Sequence, residues 1–286
     1  MKSLISHIAQ ESGMDIRECR PVSGGDISSA FKIVSANGMT CFLKVNAKPF
    51  AEEMFIAEKK GLEAIRQTNT IAVPRVLLTG KIEDKSFLLM EYIESKHPSD
   101  SDFRRLGTNL AQLHLSSTDT FGFDTDNFIG SLPQSNRKHN NWAEFYWEER
   151  IYPQLKKALT QHLIDKNEIP SDDRAVPLFE AILGAPKPAL VHGDLWGGNY
   201  LISLDERPVL IDPAVYYGHS MADIAMTRLF GGFSPAFYDA YHEIIPKSEH
   251  YNTQVELYQL YYLLVHLNLF GSGYYSSVSS ILRRYF

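Results

Sequence analysis

Two carboxylates and an amide make one short part of this sequence chemically conspicuous. In His192-Gly193-Asp194-Leu195-Trp196-Gly197-Gly198-Asn199-Tyr200, Asp194 and Asn199 stand five positions apart, and a second carboxylate, Asp212, ends the apolar run Val209-Leu210-Ile211. Hard oxygen donors suit Mg2+, which keeps several waters and takes only one or two carboxylates from a protein. Asn199 and Asp212 fit that task, and Asp194 is then placed to orient a hydroxyl and accept its proton. A hydroxyl-directed Asp, a metal-directed Asn and a metal-directed Asp in this order serve phosphoryl transfer. The plainer reading has Asp194 and Asn199 capping loop backbone and His192 packed in the core, the usual work of isolated residues of these types. The number of matched positions favours the chemical reading.

The elements that must hold these residues follow from the flanking pattern. Ala189-Leu190-Val191 before the loop and Val209-Leu210-Ile211 after it read as short buried strands around a tight turn. Upstream, Phe31–Val34 and Thr40–Val45 flank Asn37-Gly38, a strong hairpin signal, with Lys44 inside the second strand. Residues 50–67 form a helix whose apolar positions are Met54, Phe55, Ala57, Leu62, Ala64 and Ile65. Of its glutamates, Glu58 lies mid-helix near the Phe55 and Leu62 face and is the one expected to meet Lys44, the others being solvated. Gly24 and Gly25, between two strand-like runs, would let backbone N–H groups approach a phosphate, although taken alone the pair reads as a hairpin turn.

Around this frame, Leu4, Ile5, Ile8 and Ala9 predict a first helix stopped at Gly13, and Cys19–Val22 a first strand. Val73–Gly80 and Ser86–Ile93 predict two more strands. The polar run Glu94-Ser95-Lys96-His97-Pro98 marks a boundary, giving one lobe over 1–93 and another over 94–286. The second lobe is mostly helical, with Phe103–Leu115, Trp142–Leu159 and Val255–Phe270 as its clearest helices and 119–141 as a long polar loop of functional interest.

Composition narrows the partners. The 286 residues are 44% hydrophobic and 22% charged, which suits a globular chain with a large core. A net charge of −6 without a long Lys/Arg run argues against a nucleic-acid partner but leaves room for a nucleotide site. No apolar run reaches the length of a membrane span and the N-terminus lacks a signal-peptide segment, so no membrane partner is expected. Cys19 and Cys41 form no CxxC pair, so neither zinc nor a disulfide is expected. The chain reads as soluble and cytoplasmic.

Protein-kinase catalytic loops share the Asp–Asn–Asp order. Phe42-Leu43-Lys44-Val45-Asn46, the loop from His192 to Asn199, Asp212-Pro213-Ala214, Tyr217-Gly218-His219-Ser220 and Phe230-Gly231-Gly232-Phe233 add detail to it. With these segments the chain resembles the fructosamine kinase (ketosamine-3-kinase) family, within the aminoglycoside phosphotransferase and choline kinase group of kinase-like folds. Leu-Trp-Gly-Gly-Asn and Asp-Pro-Ala favour that family over its neighbours. The resemblance implies an α+β, two-lobe, protein-kinase-like fold: an N-terminal antiparallel sheet with one long helix, then a mostly helical lobe. It implies ATP and Mg2+, and transfer of the γ-phosphate to the 3-hydroxyl of a small-molecule or protein-linked ketosamine such as fructoselysine or ribuloselysine. The phosphorylated adduct is then labile, so the implied role is repair of glycated amines.

Carried onto this sequence, the resemblance makes Asp194 the base and Asn199 and Asp212 the Mg2+ ligands. Lys44 with Glu58 becomes the phosphate-holding pair, and Glu91, Tyr92 and Ile93 a hinge for the adenine edge. Asp223 becomes a structural brace of the catalytic loop. The Gly24-Gly25 loop is shorter than a full kinase glycine loop. Trp196 is a candidate apolar wall or cation–π face for the acceptor, with core packing as its alternative. Tyr217 and His219 follow Asp212 closely enough to line the same cleft. Three other readings stand beside this one: a kinase for another hydroxylated amine of the aminoglycoside or choline type, a nucleotide-binding pseudokinase scaffold, and a metal-dependent phosphohydrolase. Retention of Lys44, Asp194, Asn199 and Asp212 speaks against the scaffold, and the lack of clustered ligands around His192 against the hydrolase.

Overall fold

The computed structural model describes residues 1–22 and 28–286. Gly24 and Gly25, expected near a phosphate, lie outside the described residues.

Alternation along the first strands builds a sheet with two apolar faces. Strands β1 (Ile16–Pro21), β2 (Ser29–Ser35), β3 (Thr40–Asn46), β4 (Val76–Ile82) and β5 (Lys85–Glu91) form an antiparallel sheet in the order β1-β2-β3-β5-β4. Side chains two apart share a face. Ile33, Cys41, Leu43, Val45, Phe87 and Leu89 pack against Leu4 and Ile8 of helix α1 (Lys2–Ser12). Leu88 and Met90 turn the other way, onto Phe55 of helix α2 (Ala51–Gln67), with Phe42 beside them. Lys44 shares that second face, so a lysine in mid-strand is buried and aimed at α2. Gly13, in the left-handed region at φ 69°, ends α1.

Past β5 the chain becomes mostly helical. Strand β6 (Ser95–Lys96) pairs with a later strand, and Ser99 starts α3 (Asp100–His114) through a capping box with Asp102. The segment predicted as a long polar loop instead contains a hairpin, β7 (Asn127–Ile129) and β8 (Leu132–Gln134), with Gly130 at φ 58° in its turn. Its polar residues Asn127 and Gln134 are buried, which is why the stretch reads as solvated loop from its composition. The expected single helix over 142–159 has three parts: α4 (Trp142–Phe145), a π-helical stretch over Tyr146–Ile151, and α5 (Tyr152–Thr160). The π stretch seats Trp147 and Arg150 in the core. Helix α6 (Asp172–Leu183) follows, then β9 (Ala189–Val191), β10 (Tyr200–Ser203), β11 (Pro208–Leu210) and β12 (Tyr216–Gly218). β10 pairs with β11 and β6, and β12 with β9. Helices α7 (Met221–Leu229), α8 (Pro235–Ile244), α9 (Tyr251–Phe270) and α10 (Tyr275–Tyr285) complete the chain.

Helix α9 is the axis of this half. It is apolar on nearly every side and buries Leu257, Tyr258, Leu260, Leu264 and Leu267, as a helix without a polar face must. No described helix is long and apolar enough to cross a membrane. The large core runs from α3 through the aromatic residues of 142–151 to α9, and β9–β12 lie across it, carrying the loops that began the sequence argument.

Candidate active site

The loop between β9 and β10 is held in place by its own backbone. Asp223, in the first turn of α7, accepts hydrogen bonds from the backbone N–H groups of His192 at 2.7 Å and Gly193 at 2.9 Å. His114, at the end of α3, meets the same carboxylate at 3.0 Å. Burial works against the Asp223 anion, but the hydrogen bond and charge of His114 and the backbone N–H of Gly193 outweigh it and hold its carboxyl below the ordinary value. Asp223 is thus a structural brace, as expected of it. Gly193 sits at φ 83°, and a Cβ there would overlap the carbonyl oxygen of Ala214, so the two loops approach as only glycine permits.

Three bonds stitch this loop to the Asp212 segment. Ala214 N–H donates to His192 O at 2.9 Å, and Ile211 N–H donates to Asn199 O at 3.1 Å. The His192 ring spans the gap. Its Nδ1 lies 3.3 Å from the N–H of Asp194 and its Nε2 lies 2.9 Å from the carbonyl oxygen of Ile211. The first contact needs an acceptor and the second a donor, which assigns the neutral Nε2–H tautomer. Burial favours that neutral form and lowers the imidazole pKa. His192 is therefore a packed bridge between the two loops.

Asp194 and Asn199 meet at the mouth of this frame. Asn199 Nδ2 donates to Asp194 O at 2.8 Å and to Asp194 Oδ2 at 3.3 Å. With its nitrogen spent, the amide offers Oδ1 as its ligand atom. Burial pushes the Asp194 carboxyl up to about 7, Asp212 and Asp223 add to the shift, and the Asn199 hydrogen bond opposes it.

Across from this loop, β3 and α2 bring a cation. Lys44 Nζ lies 2.8 Å from Glu58 Oε1 and also forms an ion pair with Asp212 Oδ1. Burial alone would lower the ammonium pKa, but the two carboxylates outweigh it and hold it above its ordinary value. One cation serves two acids. The Glu58 carboxyl is pushed up to about 7 by burial despite Lys44, whereas at Asp212 the Lys44 charge and hydrogen bond outweigh burial and keep it low. Asp212 also occupies the left-handed region at φ 55°, a conformation that costs a non-glycine residue about 1–3 kcal/mol and persists only where its surroundings fix it.

The remaining expected residues fall into two groups. Trp196 is 37% exposed with its ring over Gly198, so it lies at the surface and not in the core. Glu91 closes β5, donating its N–H to Arg75 O at 2.9 Å, while Tyr92 and Ile93 lie just past the strand. Lys32 Nζ sits 4.0 Å from the Tyr92 ring centroid and 3.1 Å from Glu94 Oε1, fixing the turn. Tyr217 pairs with Leu190 in β9 and packs its ring toward Phe123 at 6.3 Å. His219 Nδ1 bonds Tyr258 OH at 2.6 Å, against the Trp142 ring. Among the described residues, no hydrogen bond or ring contact joins Tyr217 or His219 to Asp194, Asn199 or Asp212. Sequence reasoning missed Asn127, Gln134, Tyr261 and Tyr262, which lie beneath the two loops. The first two carried a signal, an alternation around Ile129-Gly130-Ser131-Leu132.

A fructosamine kinase family model matches residues 1–286. The chain belongs to the fructosamine kinase family. A probable ketoamine kinase of Synechocystis is 40% identical to it, over 99% of this chain and 96% of that protein. A ketosamine-3-kinase of Mus musculus is 38% identical, over 91% of this chain and 93% of that protein. The crystal structure of a putative fructosamine-3-kinase from Haemophilus somnus superposes with a TM-score of 0.88 at 31% identity, covering 100% of this chain and 97% of that one. A macrolide 2'-phosphotransferase of Brachybacterium faecium, at a TM-score of 0.61 and 16% identity over 99% of this chain and 98% of its own, shares the fold alone. The chain is thus an α+β protein of kinase-like fold and a phosphotransferase acting on ketosamines through a hydroxyl acceptor.

Proposed function

We propose that this fructosamine kinase transfers the γ-phosphate of ATP to the 3-hydroxyl of a ketosamine, with Mg2+ as its metal and Asp194 as its base. The observation that carries the reading is the convergence of Lys44, Glu58 and Asp212 in one ion cluster, stitched through His192 to the loop of Asp194 and Asn199. The donor set suits Mg2+: one amide oxygen, one carboxylate and little else. Among the described residues Lys44 is the one cation paired with Glu58 and Asp212, and Asp194 stands close by, so the cluster holds more acid than base, which a divalent cation offsets. Bound Mg2+ would neutralise charge on the donor phosphates.

The protein's own groups divide the remaining work. Lys44, oriented by Glu58, holds the donor phosphates. Asp194 accepts the proton of the acceptor hydroxyl, and a carboxyl near neutrality in the free enzyme suits a general base at physiological pH. Tyr92 and Ile93, beyond the strand ladder, present backbone groups to the adenine edge, and Glu91 sets the turn. Trp196 forms the acceptor wall, and its exposed face suits an amine that is cationic when protonated. Tyr217 and His219 take structural places in this reading because their contacts belong to the core wall. The lobes divide at 93/94, the biological role is repair of glycated amines, and the free thiols of Cys19 and Cys41 fit a reducing compartment such as the cytoplasm.

ADP release tests the proposal. Purified protein with ATP and Mg2+ should release ADP when fructoselysine is present and none above background without it. ATP consumption that yields inorganic phosphate without acceptor would identify a hydrolase, and nucleotide binding with no turnover on any ketosamine would identify a scaffold.

A further inference from the structure

Beneath Asp212 runs a chain of buried amides that no part of the proposed chemistry uses. Tyr261, on α9, donates its hydroxyl hydrogen to Gln134 Oε1 at 2.5 Å. Gln134 Nε2 donates to Asn127 Oδ1 at 2.7 Å and lies 3.4 Å from the carbonyl oxygen of Ala214. Asn127 Nδ2 donates to the carbonyl oxygen of Val215 at 2.8 Å. The backbone carbonyls at one end can only accept, which fixes the direction of donation along the whole chain, and the phenol at the other end supplies the first hydrogen. Gln134 is 3% exposed and Asn127 6%, so water does not compete. The chain ends on the peptide groups two and three residues after Asp212.

The same segment is gripped from above and tied to its neighbour. Helix α2 approaches through Gly61, where a Cβ would stand 3.2 Å from Pro213 Cγ. The next residue of α9, Tyr262, donates to the carbonyl oxygen of Gly193 at 3.2 Å, so consecutive tyrosines reach the Asp212 segment and the Asp194 loop. Arg150, wholly buried, holds the exit of β8 by donating to Ser135 O at 2.6 Å and Asn136 Oδ1 at 2.7 Å.

We infer that Gln134, acting with Asn127 and Tyr261, is a positioning residue for Asp212: the hairpin β7–β8 carries the spacing between the two loops from α9 to the metal-directed carboxylate. Apolar side chains would fill the same space, but buried amides also fix direction, which a residue held in the left-handed region requires. The inference rests on the proposed role of Asp212 as a Mg2+ ligand.

Calorimetry of AMP-PNP binding with and without Mg2+ tests it on wild type, Gln134→Leu, Tyr261→Phe, Tyr146→Phe and Asp212→Ala. Tyr146→Phe is the control because it removes a buried hydroxyl that bonds Leu257 O at 2.9 Å, away from the chain. Loss of a partner behind a metal ligand typically weakens metal affinity about 10–100-fold. Gln134→Leu and Tyr261→Phe should weaken the Mg2+-dependent part of binding about 10-fold, leaving metal-free nucleotide binding and the KM for fructoselysine unchanged. Tyr146→Phe should match wild type. Unchanged Mg2+-dependent binding in folded Tyr261→Phe, or an equal loss in Tyr146→Phe, overturns the inference even if Gln134→Leu fails to fold. Unchanged binding in Asp212→Ala would overturn the metal assignment beneath it instead.

Discussion

Trp196 lies at the surface, where its ring is open to a ligand, and it is the proposed wall of the acceptor site. Removing its ring takes an apolar or cation–π face from the acceptor, about 0.5–2 kcal/mol. Trp196→Ala should therefore raise the KM for fructoselysine roughly 2- to 30-fold and leave the KM for ATP unchanged. Steady-state kinetics with each substrate varied in turn checks this, and equal effects on both would return Trp196 to a structural role. His219 gives a prediction of another kind. Burial, with the charge of His114 adding, pushes its imidazole down to about 3, against about 6.5 in an unfolded chain. The folded state holds it neutral, so its contribution to stability is complete above pH 6.5 and is lost as pH falls from there toward 3, at no more than about 1.4 kcal/mol per pH unit. His192 is lowered in the same direction. Urea unfolding at pH 7.5 and 5.5 should show the loss, and His219→Gln should shrink it. An unchanged pH slope in that variant would remove His219 from the account.

At the scale of elements, α3 and α8 cross closely because of Gly107. A Cβ there would overlap the carbonyl oxygen of Phe237. Helix propensity alone makes Gly→Ala favourable by about 1 kcal/mol, but a clash with backbone cannot relax by rotating a side chain. Gly107→Ala should therefore destabilise the protein by about 2 kcal/mol or more, read by chemical denaturation. Stability equal to or above wild type would contradict the close crossing. The hairpin at Asn37-Gly38 was legible because turn chemistry is local; that a glutamate meets Lys44 came from the kinase-like place of the lysine, and helix spacing singled out Glu58. Strand limits differ by a few residues, β1 starting at Ile16 where Cys19 was expected and β4 at Val76 where Val73 was expected. The hairpin β7–β8 was hidden because its inward positions are Asn127 and Gln134, whose partners are backbone carbonyls some 80 residues on. The π-helical turn at 146–151 has no distinguishing period in the sequence. The partner of His219, Tyr258 on α9, was not legible, because it lies 39 residues on in sequence.

Over the whole molecule, the described residues form an apolar cluster on each face of the first sheet and a larger one around α9. Lys44, Glu58 and Asp212 join β3, α2 and the segment after β11 in one ion cluster, with Asp194 on the loop stitched to it. A ligand that bridges them stabilises the fold by mass action, about 2.7 kcal/mol at a hundred times its Kd. MgATP should therefore raise the melting temperature of wild type, and Asp212→Ala should lose that increase. An equal increase in the variant would detach Asp212 from the nucleotide. The acceptor atom remains the central point, and phosphorus and carbon NMR of the product from fructoselysine, ATP and Mg2+ reads it directly. The account predicts a phosphomonoester on the C3 oxygen with wild type, formed about 10²–10⁴-fold more slowly by Asp194→Asn at unchanged nucleotide binding. A phosphate on another hydroxyl, inorganic phosphate alone, or an equal rate with Asp194→Asn would contradict it.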